Sequence, residues 1–139
     1  MIKLVYCIRK KEGLSSSEFE NYWREVHGPK VKAHAASINA VRYVQSHQRM
    51  PTLNDAFRQS RNLAEPYDGV TELWWETEED LMRALASPEG QKAAALLIEE
   101  ERVIDRPDLL VPFGELNELM GLSRLRAIEK SFAAPTRGT

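Results

Sequence analysis

Apolar positions along the chain fall into two periods, and their alternation sets out the elements. IKLVYCIR (2–9) is short, rich in β-branched and aromatic residues, and followed by polar KKEG, which predicts a strand. GLSSSEFENYWREVHGP then switches to helical spacing. Ser15 and Glu18 have the S-x-x-E spacing of a capping box, and Leu14 and Phe19 that of a hydrophobic staple. Phe19, Tyr22, Trp23 and Val26 recur on one helical face, and Gly28-Pro29 reads as a stop. Residues 29–37 allow a further helical turn or two. NAVRYVQSHQR (39–49) predicts a second strand. Residues 50–66 read as a long loop, with DAFRQSR as one short helix inside it, and loops of that length are usually functional or mobile.

YDGVTELWWE (67–76) predicts a third strand, with Asp68-Gly69 as a turn or bulge entry. TEEDLMRAL (77–85) opens a helix with Thr77 as its cap and acidic residues in the first turn. Ser87-Pro88 restarts a helix that runs to about residue 104. DLLVPFGEL (108–116) is a fourth strand, and Pro112 implies an edge position or a bulge. The order β-α-β-β-α-β predicts an α+β, ferredoxin-like domain over 1–116, an antiparallel sheet with both helices on one face. Large apolar residues alternate onto both sheet faces, as in Leu4, Tyr6 and Ile8 against Val5 and Cys7. The second face therefore needs a cover, and a second copy of the sheet is the simplest one, so a homodimer is expected. The tail, 117–139, is weakly amphipathic and partly helical in pattern, and could pack on the partner subunit.

Composition narrows the function classes. The 139 residues are 42% hydrophobic and 29% charged, with a formal charge of −2. Nothing in that balance calls for nucleic acid or an acidic membrane surface. Cys7 is the single cysteine, inside an apolar run, and reads as a core residue. No run approaches the length of a membrane span, and the N-terminal charges follow the apolar run rather than precede it, so a cytoplasmic protein is expected.

The three histidines, His27, His34 and His47, lack metal-ligand spacing, and no dinucleotide, P-loop or nucleophile-elbow motif occurs. No cofactor or metal is called for. His27 lies at the end of the aromatic helix, four residues after Trp23. It suits a general acid or base, or a helix-end residue that bonds free carbonyls and favours the helix dipole. His47 ends a strand and shares its alternation with Tyr43 and Gln45. Tyr6, Trp23, Tyr43 and Trp74 are candidates to line a pocket for a small apolar or aromatic molecule, and Trp75 stands beside them. Glu72 and Arg42 are charges within apolar strands and suggest a cross-strand ion pair.

MIKLVYCIRKKEGLSSSEFENYWREVHGPKVKAH, RYVQSH, YDGVTELWWE, SPEGQKA and EEERVID together, in this order and spacing, resemble the EthD family over roughly residues 1–115. The F-x-x-Y-W-x-x-x-H-G-P segment is the most specific part. The resemblance implies a dimeric α+β barrel, two sheets packed face to face with a pocket in each subunit. It also singles out Asp105, which could hold His27 in one tautomer. The family takes its name from a component of bacterial alkyl ether degradation, and relatives look like dehydratases, decarboxylases and cofactor-free oxidoreductases. Two functions are therefore open. One is a cofactor-independent enzyme in which His27 moves a proton beside the carbonyl of a small aromatic or polyketide-like compound, driving dehydration, cyclisation or isomerisation, or supporting oxygenation. His47, Tyr6 or Tyr43 would bond the developing oxygen. The other is a non-catalytic ligand-binding or accessory dimer of an oxidative degradation pathway.

Overall fold

The computed structural model describes residues 1–99 and 104–116, with side chains described over 1–97 and 112–116. Strands β1 (Ile2–Lys10), β2 (Arg42–His47), β3 (Gly69–Trp75) and β4 (Ile104–Phe113) form one antiparallel sheet in the order β2-β3-β1-β4. Each β-α-β half straddles a strand of the other half, the split arrangement of the ferredoxin-like α+β fold. β4 begins at residue 104 rather than 108, because Pro107 does not interrupt it. Pro107 sits on an edge strand, opposite Ile8, where the register shifts, so its missing N–H disturbs little. The tail, 117–139, lies outside the described residues.

The connection from β1 to β2 is one rod: helix α1 (Ser16–Tyr22), a π-helical turn (Trp23–His27) and helix α2 (Gly28–His34). The capping box forms as expected. Glu18 N donates to Ser15 Oγ at 3.1 Å, and Ser15 N donates to Glu18 Oε2 at 2.8 Å. The expected stop at Gly28-Pro29 does not occur. Proline lacks an N–H and crowds the carbonyl four residues back, which usually ends a helix. Here the preceding turn widens, with the Gly28 N–H donating to the Trp23 carbonyl five residues back, and the helix continues past Pro29. The wider turn also rolls the apolar face by one residue. His27, 7% exposed, lies with the buried Trp23, while Val26 turns outward at 37%.

The stretch expected to be mostly loop carries helix α3 (Pro51–Arg61). Met50 and Asn62 bracket it in left-handed conformation, and Pro51 takes its first position, where no N–H is needed. Beyond β3, Thr77 Oγ1 caps helix α4 (Glu78–Ala86), accepting from Asp80 N at 3.1 Å. Ser87 Oγ accepts from Gly90 N at 2.9 Å and opens helix α5 (Pro88–Glu99), as the Ser-Pro restart implies.

Both helical layers cover the sheet face that carries Ile2, Leu4, Tyr6, Ile8, Leu73 and Trp75. Two buried clusters form there. Ile2, Trp75, Ile38, Leu81, Ala84 and Ala93 pack at one end, and Ile8, Phe19 and Trp23 at the other. The opposite face carries Val5, Cys7, Val44, Val70 and Trp74 among charges. Burial pushes the Cys7 thiol up, which suits an inert packing residue. The expected Arg42–Glu72 pair is not made. Register sets Arg42 across from Trp74, where its guanidinium lies over the indole, and Lys3 Nζ reaches Glu72 Oε1 at 2.6 Å instead.

Candidate active site

Between the two buried clusters lies a cavity of about 450 Å³, within the range of small-molecule sites. Leu4, Leu73, Trp75, Ile38 and Leu81 make much of its wall. Its polar groups are few: His27, Tyr6, Tyr43 and Thr71. His27 and Thr71 are also the buried polar residues among those described. An apolar chamber with a few converging polar groups has the make-up of a small-molecule site, in which the polar groups fix orientation.

Each element delivers its group for a local reason. Tyr6 and Thr71 are paired on β1 and β3 and point to the helix side. Tyr43 is two residues before Gln45 and four before His47 on β2, so all three share that side. The π-helical turn presents His27 and Trp23. Two glycines allow the rod to approach. A Cβ on Gly69 would lie 2.4 Å from the Trp23 ring, and one on Gly28 would lie 3.1 Å from Gln45 Nε2. The rod runs on to His34, so His27 is inside a helix and not at its end. The helix-end account of His27 therefore lacks its premise, and what remains is a buried imidazole on the cavity wall.

A polar chain runs behind the cavity. Gln45 Nε2 donates to the Trp23 carbonyl and to Tyr43 Oη, each at 2.8 Å. His47 Nε2 lies 3.0 Å from Gln45 Oε1, and His47 Nδ1 lies 3.5 Å from Glu20 Oε1. Arg24 and Arg49 hold that same carboxylate oxygen at 2.7 and 2.6 Å. The His47 ring also packs on Trp23, 4.6 Å between centroids. Burial, with the nearby positive charges of Arg24 and Arg49, pushes the His47 pKa below its ordinary 6.5, although Glu20 opposes this. The unfolded chain then takes up the proton first as pH falls. Stability from this site is present above about pH 6.5 and is lost below it, down to the lowered folded value. The bond from Arg49, helped by Arg24, holds the Glu20 carboxyl below its ordinary 4.5. Thermal melts between pH 8 and 5 should show a steeper loss for the wild type than for His47→Gln. Parallel curves would contradict this.

Of the residues singled out from sequence, Tyr6, Trp23, His27 and Tyr43 meet at the cavity. His47 stands one residue removed from it, behind Trp23 and Gln45. Trp74 does not line the cavity. Side chains alternate along β3, so Trp74 faces the other side of the sheet, over Lys3 and Arg42, and Trp75 takes the cavity position. The side chain of Asp105 on β4 lies outside those described. Thr71 and Gln45 carry no motif, and only their strand parity with Tyr6 and Tyr43 points to them. Among the described residues, no group of three or more His, Cys, Asp or Glu side chains could hold a metal ion. No helix among them is long and apolar enough to cross a membrane.

This architecture is that of the ferredoxin-like α+β proteins, and solved structures share it at low identity. An ethyl tert-butyl ether D (EthD) family protein from Bacillus halodurans aligns with a TM-score of 0.55 and 14% identity, over 84% of this chain and 99% of that one. SnoaB, a cofactor-independent oxygenase from Streptomyces nogalater, aligns at 0.51 and 17%, over 86% and 97%. A dimeric ferredoxin-like protein of unknown function from Bacteroides fragilis aligns at 0.51 and 12%, over 81% and 93%. A comparison with curated proteins finds no match. The EthD domain matches residues 11–107, and the chain belongs to the EthD family.

Proposed function

We propose that the protein is a cofactor-independent catalyst of proton transfer beside a carbonyl, acting on a small aromatic or polyketide-like compound. The observation that carries this reading is the position of His27, a buried imidazole on the wall of an apolar cavity that also holds two tyrosines. His27 takes a proton from the carbon next to the carbonyl, and the electron pair moves onto the carbonyl oxygen. Tyr43 or Tyr6 donates a hydrogen bond to that oxygen as it becomes an enolate. Return of the proton at another carbon completes an isomerisation. Expulsion of a β-hydroxyl with that proton, as water, completes a dehydration. An electron-rich enolate of this kind is also what a cofactor-free reaction with oxygen requires.

The test is exchange of a ketone's α-protons for deuterium in deuterated water, followed by NMR with aromatic ketones that raise the protein's melting temperature. Exchange by the wild type that disappears in His27→Ala supports the reading. Ketones that stabilise both proteins equally, without exchange in either, would replace it with a binding or accessory role. Oxygen uptake in the same samples separates the oxygenase outcome. We further infer a homodimer joined through the sheet face that carries Val5, Val44, Val70 and Trp74. Light scattering should give twice 15.9 kDa, and a stable monomer would refute that assembly.

A further inference from the structure

Gln45 satisfies three partners with one amide, and only one orientation of that amide can do so. The Trp23 carbonyl has lone pairs and no proton, so the group facing it at 2.8 Å must be the amide nitrogen. Rotating the amide by half a turn would set two carbonyl oxygens against each other at that distance. The second N–H of the same nitrogen goes to Tyr43 Oη at 2.8 Å. Gln45 Oε1 then faces His47 Nε2 at 3.0 Å and, having only lone pairs, accepts a hydrogen bond from the imidazole tautomer that carries its proton on Nε2. The carbonyl of the π-helical turn thus fixes the amide, and the amide fixes Tyr43 as an acceptor on its Gln45 side. A tyrosine hydroxyl has a single proton, and that proton has no use toward an N–H donor. It is left for an acceptor on the side away from Gln45, and Tyr43 forms part of the cavity wall as well as of the neighbouring groove lined by Gly28, Arg42 and His47.

We propose that Gln45 is a positioning residue that makes Tyr43 a committed hydrogen-bond donor to whatever occupies the cavity, so that the site selects apolar molecules carrying an acceptor oxygen, such as an aryl ketone or its enolate. This rests on the reading that Tyr43 meets the ligand's oxygen, and it adds what sets the polarity of that contact. A tyrosine free to turn would donate to the ligand only part of the time. Held by Gln45, it meets the developing oxyanion without reorganising. The arrangement also ties the contact to His27, since the carbonyl that orients Gln45 belongs to the same turn that carries the histidine.

The experiment compares binding of 2-acetylnaphthalene with that of 2-ethylnaphthalene, which has nearly the same shape and no oxygen. In the wild type the ketone should bind about tenfold more tightly or better. Gln45→Glu presents an acceptor to Tyr43 and competes for its proton, so the ratio should fall to that of Tyr43→Phe. Gln45→Met removes the constraint alone and should give a ratio between the two. A variant that merely loosens the fold would weaken both ligands together and leave the ratio unchanged. An unchanged ratio in both Gln45 variants overturns the proposal. A second measurement needs no ligand: the ¹³Cζ resonance of Tyr43, assigned through Tyr43→Phe, followed against pH. Donation from Gln45 favours the phenolate, so the titration should move to higher pH in Gln45→Met, and an unmoved titration also overturns the proposal. If neither naphthalene binds while the titration moves, Gln45 keeps its role and the aryl-ketone reading of the function fails instead.

Discussion

Gly69→Ala should destabilise the protein by about 2–3 kcal/mol, the upper end of the range for an overpacked core. The added Cβ would lie 2.4 Å from two ring carbons of Trp23, well inside contact distance. That ring has little room to yield. It is 1% exposed, stacked on Phe19 at 5.4 Å and packed against His47 at 4.6 Å. Relief has to come from pushing the ring toward the cavity or from moving the rod away from β3, and the rod carries His27. Urea unfolding should therefore show a lower midpoint with an unchanged slope, and ligand-induced stabilisation should weaken at the same time. Trp23→Phe in the Gly69→Ala background should recover part of the loss, a non-additivity that identifies the clash as the cause. A wild-type midpoint in Gly69→Ala would mean that the strand and the rod are not in this close contact.

The same pair of residues shows how much of the molecule is legible in its sequence. Strand order and helix starts are readable because they rest on local chemistry. The Ser15–Glu18 box, the Thr77 cap and the Ser87-Pro88 restart each satisfy free N–H groups within one turn, and the structure forms all three. The middle of the rod is not readable in that way. Gly28-Pro29 has the letters of a helix stop, yet the turn before it widens and the helix continues, with the Gln45 amide of the sheet bonded to the Trp23 carbonyl. Nothing in the local pattern announces the wider turn, and period-3.6 reasoning puts Val26 inward where His27 in fact goes. For the same reason Gly69 reads as a turn entry when its role is to admit an indole. Parity along β3 separates Trp74 from Trp75, but parity alone does not say which face holds the cavity. The helix-side cluster around Trp75 decides that.

Replacing His27 should separate chemistry from folding. If the imidazole moves the proton, His27→Ala should lower turnover of a responsive ketone by about 10²–10⁴-fold, the usual contribution of one positioned acid or base. Truncation at a 7%-exposed position also leaves a void in the cavity wall, so a loss in this variant alone could report collapse of the site. His27→Phe and His27→Gln keep side-chain bulk at that position and remove the basic nitrogen. Both should remain folded, with melting temperatures closer to the wild type than that of His27→Ala, and both should still be stabilised by the ketone. Neither should recover turnover. Retained binding with lost exchange assigns the imidazole to the proton transfer itself, because a group needed only for packing would be replaced adequately by phenylalanine. Turnover within a few-fold of the wild type in His27→Phe would instead remove the histidine from the reaction. Tyr6 and Tyr43, the other ionisable side chains on the cavity wall among the described residues, would then be the next bases to test. That outcome has its own signature. Burial raises the Tyr43 pKa, so a tyrosine base would show activity rising with pH well above neutrality, whereas a histidine base levels off once the imidazole is neutral. The pH profile of exchange in the wild type therefore distinguishes the two bases even before a variant is made.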